Sequence, residues 1–124
     1  MDHRPAMRAL IVEDEPIFRM DLTMRLKRLG FDSIDETPYA GKSIEIAREH
    51  AFDLIIMDIR LKDDLSGIDA AREISREWTY PIIVMSAYQI NEDEIRRDIP
   101  TLRRFVSKPV SDDDLRSAVS EAVG

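Results

Sequence analysis

Short apolar runs alternate with stretches of helical spacing along the whole chain, and this alternation most restricts the possible fold. The runs are rich in Ile and Val, which favours strands. They are continuously apolar rather than alternating, which indicates strands buried on both faces, as in a parallel sheet. The clear runs are residues 9–12, 54–57, 82–85 and 105–106, and a weaker one is residues 33–35.

Each run is followed by apolar residues with a period of about 3.6, which is typical of amphipathic helices. Gly30 fits the position just after the first helix, and Ser111 fits the N-cap of the last. The apolar faces are marked by Phe18, Leu22, Leu26 and Leu29; by Ile44, Ala47 and Ala51; by Ile68, Ala71 and Ile74; by Ile95 and Ile99; and by Leu115, Ala118, Val119 and Ala122.

Five strand–helix units predict an α/β fold, a flavodoxin-like doubly wound five-stranded parallel sheet with helices on both faces. A chain of 124 residues has room for one such core. We expect residues 1–6 to be a disordered extension and residues 7–124 to form the domain. In such sheets the functional crevice lies beyond the carboxyl ends of the strands.

Composition excludes several classes of function. The chain has 18 Lys and Arg against 25 Asp and Glu, and a net charge of −7 argues against direct binding to nucleic acid or an anionic membrane. The absence of cysteine excludes disulfides, thiolate metal sites and cysteine nucleophiles. No apolar run approaches the roughly 18 residues of a membrane helix, so we expect a cytoplasmic domain.

The predicted strand ends carry the candidate site. Glu13 and Asp14 follow the first strand, Asp58 the third, Ser86 the fourth and Lys108 the fifth. Carboxylates brought this close repel unless a cation intervenes, and oxygen ligands favour Mg²⁺. A carboxylate beside Mg²⁺, an ammonium group and a hydroxyl is equipped for phosphoryl transfer, with the carboxylate as nucleophile.

A simpler interpretation exists for the acidic pair. Acids before a helix suit the positive end of its dipole, and Pro16 is typical of a helix start. Both interpretations can hold together.

The chain resembles the receiver domain of a two-component response regulator over roughly residues 7–123. In this order and spacing the matching segments are specific, although each is modest alone. They are residues 9–15 (ALIVEDE), 53–58 (DLIIMD), 66–71 (SGIDAA), 81–88 (PIIVMSAY) and 105–109 (FVSKP).

The resemblance implies a role for each site residue. Asp58 resembles the phosphoacceptor, Ser86 the hydroxyl that moves to the phosphoryl group, and Lys108 the lysine that pairs with it. Asp14 resembles a direct Mg²⁺ ligand, and Glu13 one that acts mostly through water. Together with Asp58, the carbonyl of Arg60 would complete the protein's ligands. Phe105 occupies the aromatic switch position, and Arg60 and Tyr88 flank the expected route of the hydrolytic water.

The chain departs from the common family pattern at three places. Leu61-Lys62 replaces Met-Pro, and Gly67 lies nine positions beyond Asp58, which lengthens the loop by one residue. The switch aromatic Phe105 has no hydroxyl, so its coupling to Ser86 must act through packing alone.

The resemblance implies a signalling switch and no enzyme beyond its own phosphorylation and dephosphorylation. The implied partners are a histidine kinase or phosphotransfer protein, an unidentified downstream protein, and a second copy docked through the face of the fourth helix, fifth strand and fifth helix. The chain is either a stand-alone receiver or a fragment of a larger regulator.

Three rival classes fit less well. A phosphatase that uses a phosphoaspartate would require a second Asp at the position of Arg60. A nucleotide- or flavin-binding domain would want a glycine- or hydroxyl-rich loop after the first strand, and residues 13–16 are acidic instead. An adaptor that is never phosphorylated would not need Asp14, Asp58, Ser86 and Lys108.

Overall fold

A computed structural model of the chain describes residues 6–61 and 65–124. Residues 1–5, which include most of the predicted disordered extension, lie outside the described residues, as do residues 62–64 of the loop after Asp58. Strands and helices alternate: β1 (Met7–Val12), α1 (Pro16–Arg28), β2 (Phe31–Thr37), α2 (Ala40–Glu49), β3 (Leu54–Asp58), α3 (Gly67–Glu77), β4 (Ile82–Ser86), α4 (Glu92–Asp98), β5 (Leu102–Ser107) and α5 (Asp112–Val123).

The five strands form one parallel sheet in the order β2-β1-β3-β4-β5. Val12 is level with Met57, Asp58 with Met85, and Ser86 with Ser107. The carboxyl ends of the three central strands and of β5 therefore lie together at one end of the sheet. This topology confirms the predicted doubly wound fold.

Both faces of the sheet are covered. Within β1, Leu10 and Val12 pack toward α2, α3 and α4, whereas Ala9 and Ile11 pack toward α1 and α5. All four side chains are fully buried. Burial on both faces explains why β1 is a continuous apolar run in the sequence.

Two strands are longer than predicted. β2 is an edge strand with exposed Asp32 and Ser33, so only a weak apolar signal remains in its sequence. β5, at the other edge, starts at Leu102, and the exposed Arg103 interrupts its apolar run. Edge strands carry polar residues on their exposed side, and these residues interrupt the apolar run from which the length of the strand is predicted.

The helix ends follow local chemistry. Gly30 has a φ of 104°, the left-handed conformation predicted for the residue after α1. The Ser111 side chain accepts a hydrogen bond from the Asp114 amide, as expected for an N-cap. The predicted placement of Ala51 on the second helix is wrong, because α2 ends at Glu49 and Ala51 is exposed beyond it. No helix in residues 6–61 and 65–124 is long and apolar enough to cross a membrane.

An aromatic cluster lies at the opposite end of the sheet, where the strands begin. Trp78 follows the end of α3 and stacks on Tyr80, with ring centroids 5.8 Å apart and an interplanar angle of 9°. Phe52 meets the Tyr80 ring edge-on, and Arg8 lies over Phe52. The cluster joins the ends of α2 and α3 to the starts of β3 and β4.

Candidate functional site

Lys108 joins two acids at the carboxyl edge of the sheet. Its Nζ lies 2.8 Å from Glu13 Oε1 and 3.0 Å from Asp58 Oδ2. The Glu13 and Asp58 side chains are only 2% and 8% exposed. The backbone N–H of Lys108 donates to the Ser86 carbonyl at 2.8 Å, which ties the end of β5 to the end of β4. Residues from the ends of β1, β3, β4 and β5 therefore meet, as the sequence predicts.

The acidic cluster has the composition of a divalent cation site. Carboxylate oxygens of Glu13, Asp14 and Asp58 all lie within 4.8 Å of one another. Glu13 Oε2 is buried and has no hydrogen-bond partner among the described residues. A buried carboxylate oxygen without a partner is costly, and a hard cation with oxygen ligands would satisfy it. The donor set therefore fits Mg²⁺.

Burial and crowding shift the pKa of two groups at the site. Burial raises the pKa of Glu13 to about 8, and the adjacent Asp58 adds to this rise while Lys108 opposes it. Burial lowers the pKa of Lys108, but its hydrogen bonds to Glu13 and Asp58 outweigh that effect and the net pKa is raised. Lys108 is therefore a stable cation, and Glu13 is poised to exchange a proton for another cation.

The two switch candidates lie on neighbouring strands. Ser86 is buried at the end of β4, and its Oγ accepts a hydrogen bond from the Tyr88 amide at 2.9 Å. Phe105 is level with Val84 on β4 and is half-buried against the core cluster that includes Ile95 of α4. Their movement stays a prediction.

The two rim candidates touch each other. The Cζ atom of Arg60 lies 4.1 Å from the centroid of the Tyr88 ring, a cation–π contact. The Arg60 amide also donates to Asp58 Oδ1 at 3.2 Å, so its backbone stays beside the phosphoacceptor candidate. The sequence placed both residues near the site without indicating that they stack. The role of the Arg60 carbonyl as a metal ligand stays a prediction.

Phe18 lies on the apolar face that the sequence predicts for the first helix. It is half-buried and packs against the core on the α1 side of the sheet. Its ring also lies under Lys108, with Nζ 4.5 Å from the centroid. Phe18 therefore forms part of the wall around the lysine.

Two further residues support the site without having been predicted to do so. A Cβ atom at Gly67 would lie 1.8 Å from the Asp58 carbonyl oxygen, so only glycine allows α3 to start this close to β3. Arg19 of α1 donates from Nη1 to the Glu13 carbonyl at 2.7 Å. The signal for Gly67 was a glycine directly after the N-cap serine of α3, whereas no local pattern marks Arg19.

Comparisons with known proteins agree with this geometry. The family model described as response regulator receiver domain matches residues 9–120. The transcriptional regulatory protein PdtaR of Mycobacterium tuberculosis H37Rv is 38% identical over 117 residues, covering 94% of this chain and 56% of that protein. The phyllosphere-induced regulator PhyR of Methylorubrum extorquens is 30% identical over 119 residues, covering 95% and 44% respectively. The chain thus spans about half the length of these relatives.

Solved structures share the fold. A CheY-like response regulator receiver domain protein from Methanospirillum hungatei superposes with a TM-score of 0.86 at 21% identity, covering 96% of this chain and 94% of that one. The signal receiver domain of a modulated diguanylate cyclase from Desulfovibrio desulfuricans gives 0.84 at 25% identity, with coverage of 96% and 94%.

The general function of such domains is a phosphoaspartate switch, and their partners in general are histidine kinases or phosphotransfer proteins. With matching sequence, topology and an acidic cluster beside a lysine, the chain belongs to the response regulator receiver domain family.

Proposed function

We propose that Asp58 accepts a phosphoryl group from a phosphohistidine on a histidine kinase or phosphotransfer protein, and that the chain catalyses no reaction beyond its own phosphorylation and dephosphorylation. The observation that carries this proposal is the contact of Lys108 with both Asp58 and Glu13, beside a buried Glu13 oxygen that lacks a partner. A cation and a lysine beside one carboxylate are suited to balance the negative charge of an incoming phosphoryl group.

In the transfer step, a carboxylate oxygen of Asp58 attacks phosphorus. The P–N bond to the donor imidazole breaks, and its electron pair returns to the ring nitrogen. Glu13, Asp14 and Asp58, with the Arg60 carbonyl, would hold Mg²⁺, which when bound neutralises charge on the transferring oxygens. Lys108 exchanges its contact with Asp58 Oδ2 for one with a phosphoryl oxygen, so the carboxylate is free to react.

The same event supplies the switch. A phosphoryl group adds about −1.5 to −2 charges to an edge that is already acidic. Ser86 Oγ gives up its bond from the Tyr88 amide and donates to the new oxygens. Phe105 then turns into the vacated space, and α4 changes its packing.

The output surface is the face formed by α4, β5 and α5. It is strongly charged, and Arg97 and Arg103 are exposed without an ion pair in the described part of the chain. Exposed Asp93 on α4 likewise has no such pair among those residues. These free charges support contact with a second copy of the chain or with an acidic or basic partner protein.

The output partner is an unidentified downstream protein, and the place of action is the cytoplasm. Both PdtaR and PhyR are named as regulators, and each carries about as much chain again outside the matched region. The net charge of −7 favours protein partners over nucleic acid or an anionic membrane surface.

Incubation with acetyl phosphate and Mg²⁺ tests the proposal. Intact-mass spectrometry should detect one added phosphoryl group on the wild type and on the control D53N. Asp53 is a suitable control because it lies at the other end of β3, where it accepts a hydrogen bond from the Arg8 amide. The variant D58A should gain none. Labelling of D58A, or no labelling of the wild type with Mg²⁺ present, would contradict the proposal.

A further inference from the structure

Arg19 of α1 lies behind the loop that carries Glu13 and Asp14. Its Nη1 donates to the Glu13 carbonyl at 2.7 Å, and its Nε lies 3.3 Å from Glu36 Oε1 on β2. The side chain is 20% exposed, so its charge is partly shielded from water. One guanidinium thus bridges the acidic loop and the neighbouring edge strand.

The main chain of Glu13 is held from both sides. Its N–H donates to the Thr37 carbonyl at 3.1 Å, which extends the pairing of β1 with β2, and its C=O accepts from Arg19. That carbonyl belongs to the planar peptide that joins Glu13 to Asp14. Fixing this peptide restricts the positions from which both side chains leave the backbone.

The carboxylates need such a restraint. Oxygens of Glu13, Asp14 and Asp58 lie within 4.8 Å of one another, and once all three are ionised, as cation binding requires, like charges at that separation repel. Asp58 is anchored by β3, whereas Asp14 lies beyond the end of β1 on a loop. The loop is therefore the part of the cluster that repulsion can move. Lys108 contacts the Glu13 carboxylate, and Arg19 holds the main chain of the loop through the Glu13 carbonyl.

We propose that Arg19 is a positioning residue that sets the affinity of the acidic cluster for Mg²⁺ by holding the Glu13–Asp14 peptide, with Glu36 orienting the guanidinium. This inference rests on the proposed function. Groups that orient metal ligands from behind in this way typically change metal affinity by about 10- to 100-fold when they are removed.

The sign of the effect separates positioning from simple electrostatics. A positive charge near a cation site repels the cation, so on Coulomb's law alone the loss of Arg19 would tighten Mg²⁺ binding. Loss of positioning has the opposite sign, because the carboxylates must be reassembled against their repulsion when the cation binds.

The experiment measures Mg²⁺ affinity by isothermal titration calorimetry on the full chain. We expect R19Q to bind about 10-fold more weakly than the wild type. We expect R19K to bind at least about 3-fold more weakly, since one ammonium keeps the charge but loses the fork that spans the Glu13 carbonyl and Glu36. At saturating Mg²⁺, phosphorylation of R19Q by acetyl phosphate should recover to within about 2-fold of the wild-type rate.

R8Q is the matched control. Arg8 also joins β1 to β2, through a two-pronged ion pair with Asp35, but it lies at the amino end of the strand. R8Q should lose stability and keep wild-type Mg²⁺ affinity. An equal loss of affinity in R8Q would mean that general loosening of the sheet is the cause, and it would overturn the inference.

Equal or tighter binding of Mg²⁺ by folded R19Q would also overturn it. If R19Q does not fold, R19K decides the question, and wild-type affinity in R19K overturns the inference. Failure of the wild type itself to bind Mg²⁺ or to be phosphorylated is a different result, because it would overturn the proposed function.

Discussion

The guanidinium of Arg60 lies over the ring of Tyr88, with Cζ 4.1 Å from the ring centroid. These residues stand two positions after Asp58 and Ser86, so their contact joins the segments that follow β3 and β4, beside the candidate phosphoacceptor. Tyr88 is 55% exposed, so the pair lies at the surface of the protein beside the site.

We therefore predict that the stacked pair prolongs the life of the phosphoaspartate. Replacing both residues, as in R60N/Y88A, should speed loss of the phosphoryl group several-fold, because the attacking water gains access to the site. Each single replacement should give most of that gain, since a stack needs both members. Decay of phosphorylated protein, followed by intact mass after removal of acetyl phosphate, measures this; equal decay in all four proteins would contradict it.

The second prediction concerns pH in the metal-free protein. The pKa of Glu13 in the folded state is raised from 4.5 to about 8, so the folded protein binds this proton more tightly than the unfolded chain does. The contribution of Glu13 to the free energy of unfolding must therefore fall as pH rises from about 4.5 to about 8.

E13Q removes this group and should flatten that part of the pH profile. Urea unfolding in EDTA at about pH 5 and about pH 9 measures the change for both proteins. Mg²⁺ should restore wild-type stability at the higher pH, because it replaces the proton. A wild-type profile parallel to that of E13Q would contradict the prediction.

Gly67 gives a third prediction. A methyl group there would lie 1.8 Å from the Asp58 carbonyl oxygen and 2.8 Å from its carbon, both backbone atoms. G67A should therefore lower the free energy of unfolding by about 3 kcal/mol or more and slow phosphorylation, because α3 or Asp58 must move.

S66A is the matched control at the same helix end. Ser66 caps α3 by accepting from the Asp69 amide at 3.1 Å, so its loss should cost about 1 kcal/mol and leave phosphorylation unchanged. Similar stability losses in the two variants, measured by urea unfolding, would show that Gly67 has no special closeness to Asp58.

The fourth prediction concerns the tie between α3 and α4. Arg72 Nη2 lies 2.9 Å from Asp98 Oδ2, and both side chains are partly exposed. A double-mutant cycle with R72Q and D98N should give a coupling of about 0.5 kcal/mol in the unphosphorylated protein. If α4 changes its packing as proposed, the coupling should shrink with beryllofluoride bound.

The ion pair of Arg96 with Glu92 lies within α4 and serves as the comparison. Its coupling should be the same with and without beryllofluoride, since a helix that moves as a unit keeps its internal contacts. An Arg72–Asp98 coupling that beryllofluoride leaves unchanged would argue against movement of α4 relative to α3.

Most of the fold could be predicted because strands buried on both faces leave continuous apolar runs, as β1, β3 and β4 do. The ends of β2 and the start of β5 could not, since edge strands mix polar residues into the run. Ala51 was assigned to α2 by spacing alone, although the chain leaves the helix after Glu49.

The meeting of Glu13, Asp58 and Lys108 was predictable because strand ends in a parallel sheet share an edge. The contacts of Arg19 and of the Arg60–Tyr88 pair were not, because they depend on side-chain direction and on distances between elements. A glycine after the N-cap serine marks Gly67 in the sequence, but its distance from Asp58 depends on how α3 approaches β3.

The stack of Trp78 on Tyr80 has a practical consequence for optical spectroscopy. Trp78 is the sole tryptophan of the chain and lies past the far end of α3, on the opposite edge of the sheet from Asp58. Its fluorescence should respond strongly to melting of the domain and much less to cation or phosphoryl occupancy at Asp58. The native chromophore is thus an internal reference for integrity, and ligation is best followed with a label introduced on the other rim.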